Sequence, residues 1–354
     1  MNNQKSTKVL LLLLPMLFLL GLSCGTKKST TDGGVFRSTN RGESWEQKVF
    51  VETLKKKTIT IGNVDVRKLL FDPQNSDTLY AGTNGHGLFK TTNSGDQWQK
   101  LSLAANQITS LDINPKNTGT LYAASGRNLY RSVDGGENWK VVYTEDRAED
   151  VVYNVVVDPF EPLRIYVSND AGGVFKSYDG GDSWQKIYWF KKAVSLVRLS
   201  PRDSRIVFAA VNDDAGLYIS LDGGENWTSQ AEALKAFGKN GKNIHDIVFD
   251  PNKPQTLYLA TDYGLLKSND EGQSWEAMKT LLNFNTPISL VAVNPLNSNQ
   301  IYHTDQSVLY RSDDGGFNWS TLRTLPSKRR ISQLLIHPTQ PEILYAGVFT
   351  IQSK

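Results

Sequence analysis

Apolar residues recur along this chain in short alternating runs, each closed by a turn-forming residue. One phrase ends on proline: Leu69-Leu70-Phe71-Asp72-Pro73, then Leu111 to Pro115, Val155 to Pro159, Val197 to Pro201, Ile247 to Pro251, Val291 to Pro295 and Leu334 to Pro338. A second phrase follows a few residues later, as Leu79-Tyr80-Ala81, Leu121-Tyr122-Ala123, Ile165-Tyr166-Val167, Val207-Phe208-Ala209, Leu257-Tyr258-Leu259, Ile301-Tyr302-His303 and Leu344-Tyr345-Ala346. A third opens on glycine, as in Gly87-Leu88-Phe89-Lys90 and Gly173-Val174-Phe175-Lys176. Runs of this length, rich in β-branched and aromatic residues and bounded by Pro, Asn, Asp and Gly, predict strands.

The third phrase runs into Ser/Thr-x-Asp/Asn-x-Gly-x-x-Trp. Its copies hold Asn40 and Trp45, Asn93 and Trp98, Asp134 and Trp139, Asp179 and Trp184, Asp222 and Trp227, Asp270 and Trp275, and Asp314 and Trp319. A repeat of about 40–50 residues marks a repeat architecture. In each copy glycine can take the positive φ of a tight turn. The Asp or Asn can bond backbone groups two residues on, and the Trp starts the next strand. Three strands, a turn and a fourth strand make one blade of a β-propeller. The chain has an opening copy (Ser38 to Trp45) with no proline phrase before it, and closing phrases with no Trp motif after them. These are complementary halves of one unit. The prediction is an all-β, seven-bladed propeller of four-stranded antiparallel blades over residues 33–354, with strands near 331–349 pairing with strands near 34–50. An open ring would leave two strand edges exposed.

Ahead of it, residues 1–23 read as a signal peptide: Lys5 and Lys8 precede an apolar run, Val9 to Leu22, too short to span a membrane. Gly21-Leu22-Ser23-Cys24-Gly25 resembles a bacterial lipobox, with Leu20 and Leu22 straddling the usual leucine position. Cys24 is then the lipid attachment point, residues 24–32 a flexible tether, and the protein an exported lipoprotein anchored to a membrane of the bacterial envelope. As the only cysteine, Cys24 leaves no internal disulfide and no Cys–His nucleophile. A formal charge of +3 gives no ground for a nucleic-acid partner. His86, His245, His303 and His337 fall in different repeats without metal-ligand spacing, so no metal or other cofactor is expected.

The Trp motif resembles the Asp box of the bacterial neuraminidase repeat family, which includes sialidases, two-propeller xyloglucan hydrolases, the sortilin luminal domain and the photosystem II assembly factor propeller. The resemblance implies that the boxes are structural turns on the face opposite the ligand site. A sialidase-type Arg-Ile-Pro is missing; Arg164-Ile165 and Arg205-Ile206 continue into Tyr166 and Val207. The xyloglucan hydrolases use two carboxylates across a cleft between two propellers, and one propeller is read here.

A site is then expected on the other face, in loops that do not repeat. The short ones hold Asn84, His86, Arg127, Asn169, Asp170, Asp213, Asp214, Asp262, Tyr263, Asp305 and Gln306; the long ones hold Lys55 to Lys57, Asp146-Arg147, Trp189 to Lys192, Lys235 to Lys242 and Lys328 to Arg330. The candidate binding residues are Arg127, Asp170, Trp189, Asp214, Asp262, Tyr263 and Asp305. Trp189, the one tryptophan outside the boxes, reads as an interface anchor, a sugar-stacking platform or the buried end of a fourth strand. The expected function is a non-catalytic scaffold binding an envelope protein or a glycan. The alternative is a glycoside hydrolase, which needs two facing carboxyl groups, one with a raised pKa.

Overall fold

A computed structural model describes residues 31–213, 215–322 and 325–350. Its strands form seven four-stranded antiparallel sheets and one extra hairpin, Phe50–Leu54 with Lys57–Thr60. Blade 1 runs from Val66–Asp72 through Asn75–Thr83 and Leu88–Thr91 to Gln99–Lys100. Blades 2 to 6 repeat that order, opening on Ser110–Ile113, Val152–Val157, Val194–Leu199, Ile244–Asp250 and Leu290–Asn294. The only helical elements among the described residues are two 3-10 turns, Lys235–Phe237 and Asn240–Lys242.

Blade 7 is shared by the two ends of the chain. Arg330–Ile336 and Leu344–Phe349 form its inner half; Val35–Ser38 and Glu46–Lys48 form its outer half. Val35 faces Gly347 and Ser38 faces Leu344 across the junction. The predicted closure is therefore present, and the open edges it removes are those that invite wrong pairing.

The core lies between blades. The second-strand phrase is buried in every blade, and its Tyr80, Tyr122, Tyr166, Tyr302 and Tyr345 are among the largest fully buried side chains. In three junctions that tyrosine reaches the next blade's Asp box: Tyr122 Oη donates to Gly180 O at 2.8 Å, Tyr166 Oη to Gly223 O at 3.1 Å and Tyr345 Oη to Ser94 O at 3.0 Å. The basic residue of the third strand caps the same carbonyl position, as Arg37 on Ser94, Lys90 on Gly135, Arg131 on Gly180, Lys176 on Gly223 and Arg311 on Arg41. Adjacent blades are thus joined by polar contacts as well as by burial.

Within a box the Ser or Thr hydroxyl accepts from the glycine N–H four residues on, as Ser132 from Gly136 at 2.9 Å. The aspartate also reaches four residues, not the two expected: Asp134 Oδ1 accepts from Asn138 N at 2.9 Å. Two successive left-handed residues set that span, Gly135 at φ 75 and Gly136 at φ 98. The tryptophans are not equally deep. Trp98 is 1% exposed and bonds Lys48 O, whereas the others are half-buried.

Candidate functional site at the channel mouth

The seven innermost strands surround a channel of about 890 Å³. Aligned on their prolines, they share one opening: Val or Ile, two free positions, then another apolar residue. The first free position is a β-bulge. Register breaks occur there in blades 1, 3, 4, 5 and 7. In blades 2 and 6, Thr109 N and Ser289 N donate to Ala124 O and Thr304 O, whose residues already face Ser110 and Leu290. A bulge re-aims its side chain, and these seven, Arg67, Thr109, Tyr153, Ser195, His245, Ser289 and Ser332, all line the channel.

In blades 2, 3, 5 and 7 the second free position stitches neighbouring blades. Ser110 Oγ accepts from Val155 N at 3.2 Å, Asn154 Oδ1 from Val197 N at 2.8 Å and Gln333 Oε1 from Leu69 N at 3.5 Å; Asp246 accepts from Val291 N. Asp112, two residues further along its strand, accepts from Val157 N at 2.7 Å. These contacts satisfy the inner-edge N–H groups that no fifth strand covers. Burial pushes the Asp112 and Asp246 carboxyls up, against the pull of those N–H groups and of Lys68 and Arg198. Burial also pushes Lys68 down to about 8, helped by Arg198. Both acids help to hold the ring together.

Around the mouth, the second-to-third-strand turns place Asn84, Gly126, Asp170, Asn212, Asp262, Gln306 and Phe349 at one repeat position. Only Asp170 and Asp262 are carboxylates there. Asp262 Oδ1 pairs with His245 Nε2 at 2.6 Å, and its Oδ2 accepts from Asn243 Nδ2 at 3.0 Å. Its side chain is 30% exposed and that of His245 40%. Beside it Tyr263 stacks on Phe284, ring centres 5.2 Å apart at 19°, and meets Phe237 edge-on at 5.3 Å. Phe284 is half exposed. The carboxylate is thus fixed through both oxygens, next to an aromatic face on which a sugar ring can stack.

The other expected residues are dispersed. Arg127 Nη2 donates to Glu145 O at 2.5 Å, and Asp170 Oδ1 accepts from Val151 N at 2.8 Å. Asp305 Oδ2 accepts from Tyr310 Oη at 3.2 Å. Trp189 closes the outermost strand of blade 3, is 40% exposed, and lies 5.6 Å from Lys186 Nζ. Asp214 and Cys24 lie outside the described residues. Of the named set, only Asp262 and Tyr263 come together, with His245. Glu145 was not singled out in the sequence; it is buried, and burial pushes its carboxyl up against the pull of Asn169 and Tyr143. His245, Phe284, Arg67 and Phe349 were missed as site residues too. Aligning the repeats through the strand openings would have exposed His245 and Arg67. Among the described residues, no group of His, Cys, Asp and Glu side chains is arranged to hold a metal ion.

Residues 127–262 match the family model described as Sortilin, neurotensin receptor 3. Xyloglucanase Xgh74A of Acetivibrio thermocellus is 32% identical over 141 residues, 31% of this chain and 16% of that protein. The GH74 enzyme of Niastella koreensis superposes with a TM-score of 0.66 at 16% identity, over 85% of this chain and 53% of that one. The structure titled YCF48 bound to D1 peptide superposes with a TM-score of 0.63 at 14% identity, over 87% of this chain and 98% of that one. The chain is an Asp-box propeller, as its repeats imply, and the solved structures bear on that fold alone. The sequence relatives correct the functional expectation. They are named as xyloglucanases, so the non-catalytic scaffold gives way to the glycoside hydrolase alternative. The chain spans about a sixth of those relatives' length.

Proposed function

We propose that this propeller is a glycoside hydrolase unit acting on a xyloglucan-type polysaccharide, with Asp262 as its carboxylate. The observation that carries the reading is the 32% identity with a xyloglucanase over 141 residues. Glycosidic cleavage needs one carboxyl group that gives a proton to the leaving oxygen and one carboxylate that activates water or attacks the sugar. Asp262 suits the second role, because Asn243 and His245 hold both its oxygens in place. Tyr263 and Phe284 provide a stacking face beside it.

The test is release of reducing ends from tamarind xyloglucan by the purified propeller. Asp262→Asn should lower kcat by about 10²–10⁴, the usual contribution of a positioned acid or base, with melting temperature unchanged. No release by the parent protein, or an equal rate in the variant, overturns the reading. The enzyme is further proposed to be exported and lipid-anchored. Radiolabelled palmitate should enter the parent protein in a bacterial host and not Cys24→Ser; equal labelling of both removes the anchor.

A further inference from the structure

The channel mouth carries arginines that, among the described residues, make no ion pair. Arg329 is paired with Asp32 at 3.1 Å and Asp65 at 2.7 Å. Its neighbour Arg330 is exposed and, among the described residues, has no ion pair. Arg67 has none either; its Nε donates to the neutral Asn84 Oδ1 at 3.3 Å. Both guanidinium groups sit over the Phe349 ring, 5.1 and 5.2 Å from its centre. Lys68 lies one residue deeper in the same wall. Burial and the like charge of Arg330 pull Arg67 below the ordinary guanidinium range. Two arginines over one ring, with the nearby Asp65 already paired to Arg329, form a receptor for an anion.

The rest of the ring specifies the anion's carrier. Ser195, Ser289 and Ser332 donate their hydroxyl protons to strand carbonyls, on Ala210, on Thr304, and on Val66 and Gly347. What they present to the channel is acceptor lone pairs, which suit a ligand rich in hydroxyl donors. Tyr153, 37% exposed, adds an aromatic face. Acceptors for hydroxyls, aromatic faces and a fork of arginines match a sugar ring that bears a carboxylate.

We propose that the channel mouth between blades 1 and 7 is a subsite for a uronic-acid residue, so that the polysaccharide this propeller takes carries acidic sugars. The proposal rests on the glycoside hydrolase reading for the identity of the polymer, and its test is one of binding, separate from turnover. The Asp262→Asn protein is titrated calorimetrically with trigalacturonate, with a neutral xyloglucan heptasaccharide and with inorganic phosphate. Trigalacturonate should bind at least about tenfold tighter than either, the scale of one charge-assisted hydrogen bond, and should weaken as salt rises. Arg67→Gln and Arg330→Gln should each cost it about tenfold without changing the heptasaccharide. Arg67→Lys, which keeps the charge, should recover part of the loss and reports that the fold is intact. Equal binding of the acidic and neutral sugars, no effect of either glutamine variant, or phosphate binding as tightly as trigalacturonate overturns the subsite. If xyloglucan is not cleaved yet trigalacturonate binds as described, the hydrolase reading fails and the acidic-sugar subsite stands.

Discussion

The two faces of this propeller spend their polar groups in opposite ways. On the Asp-box face each aspartate is matched within its own turn. Asp134 accepts from Asn138 N, Asn138 Nδ2 and Ser132 Oγ, and Asp314 repeats the set with Asn318 and Ser312. These bonds hold both carboxyls at about 2 although solvent reaches them. On the opposite face the charged groups stand at ring positions whose residue varies from blade to blade. Arg67, Arg330 and the pair of His245 with Asp262 have no repeat counterpart of like chemistry. Local satisfaction makes a turn that can be copied, and unmatched charge leaves free energy for a ligand.

The strongest way to break this comparison is to remove the closure on which both faces depend. Deleting residues 331–350 takes away the inner half of blade 7 and should abolish the cooperative melting transition; a parent-like transition in circular dichroism would mean that the six remaining blades need no seventh. Next comes Trp98→Ala. This fully buried box tryptophan should cost about 3–5 kcal/mol in urea denaturation, more than the same change at the half-buried Trp139. Equal costs would mean that the boxes are anchored by their turns alone.

A subtler contrast involves His303. It takes the place of Ala81, Ala123 or Ala346 in the second-strand phrase. It is fully buried between Tyr310 and Trp319, with neither ring nitrogen bonded, and burial pushes it down to about 3. Because the folded pKa lies below the unfolded value near 6.5, the unfolded chain binds the extra proton. This stability is therefore held above about pH 6.5 and lost as pH falls toward 3. His303→Phe should flatten the loss of melting temperature between pH 7 and pH 5; an unchanged slope would mean that the histidine is hydrated in solution.

The smallest effect is expected at the boxes. Their depressed carboxyls stabilise the fold above the ordinary value near pH 4 and lose that contribution as pH falls toward about 2. Asp134→Asn should lessen the acid sensitivity of melting over that interval only, and a change at neutral pH as large as that at pH 3 would point to lost geometry instead of lost charge.

The fold was legible because its signals repeat. Leu121-Tyr122-Ala123 and its copies report burial, and the split unit at the chain ends reports closure. The site was legible only where a turn carries a chemical group in plain view, as Asp262 and Tyr263 do. His245 looked like a solitary histidine, because the bulge that turns it into the channel leaves the alternation of its strand unmarked. Phe284 comes from a connection without repeat register, and its contact with Tyr263 joins loops of two blades. Arg127 and Asp170 looked like ligand groups, yet both bond the backbone of a neighbouring loop, at Glu145 and Val151. Backbone demand of that kind has no sequence signature.

The junction of Val35–Ser38 with Leu344–Phe349 also sets an order of events during synthesis. Of the propeller's strands, the first to be made finds its inner neighbour only after the other six blades have been made. Until then the outer half of that blade has an unfilled flank, and whatever escorts the newborn protein must shield it for the whole interval.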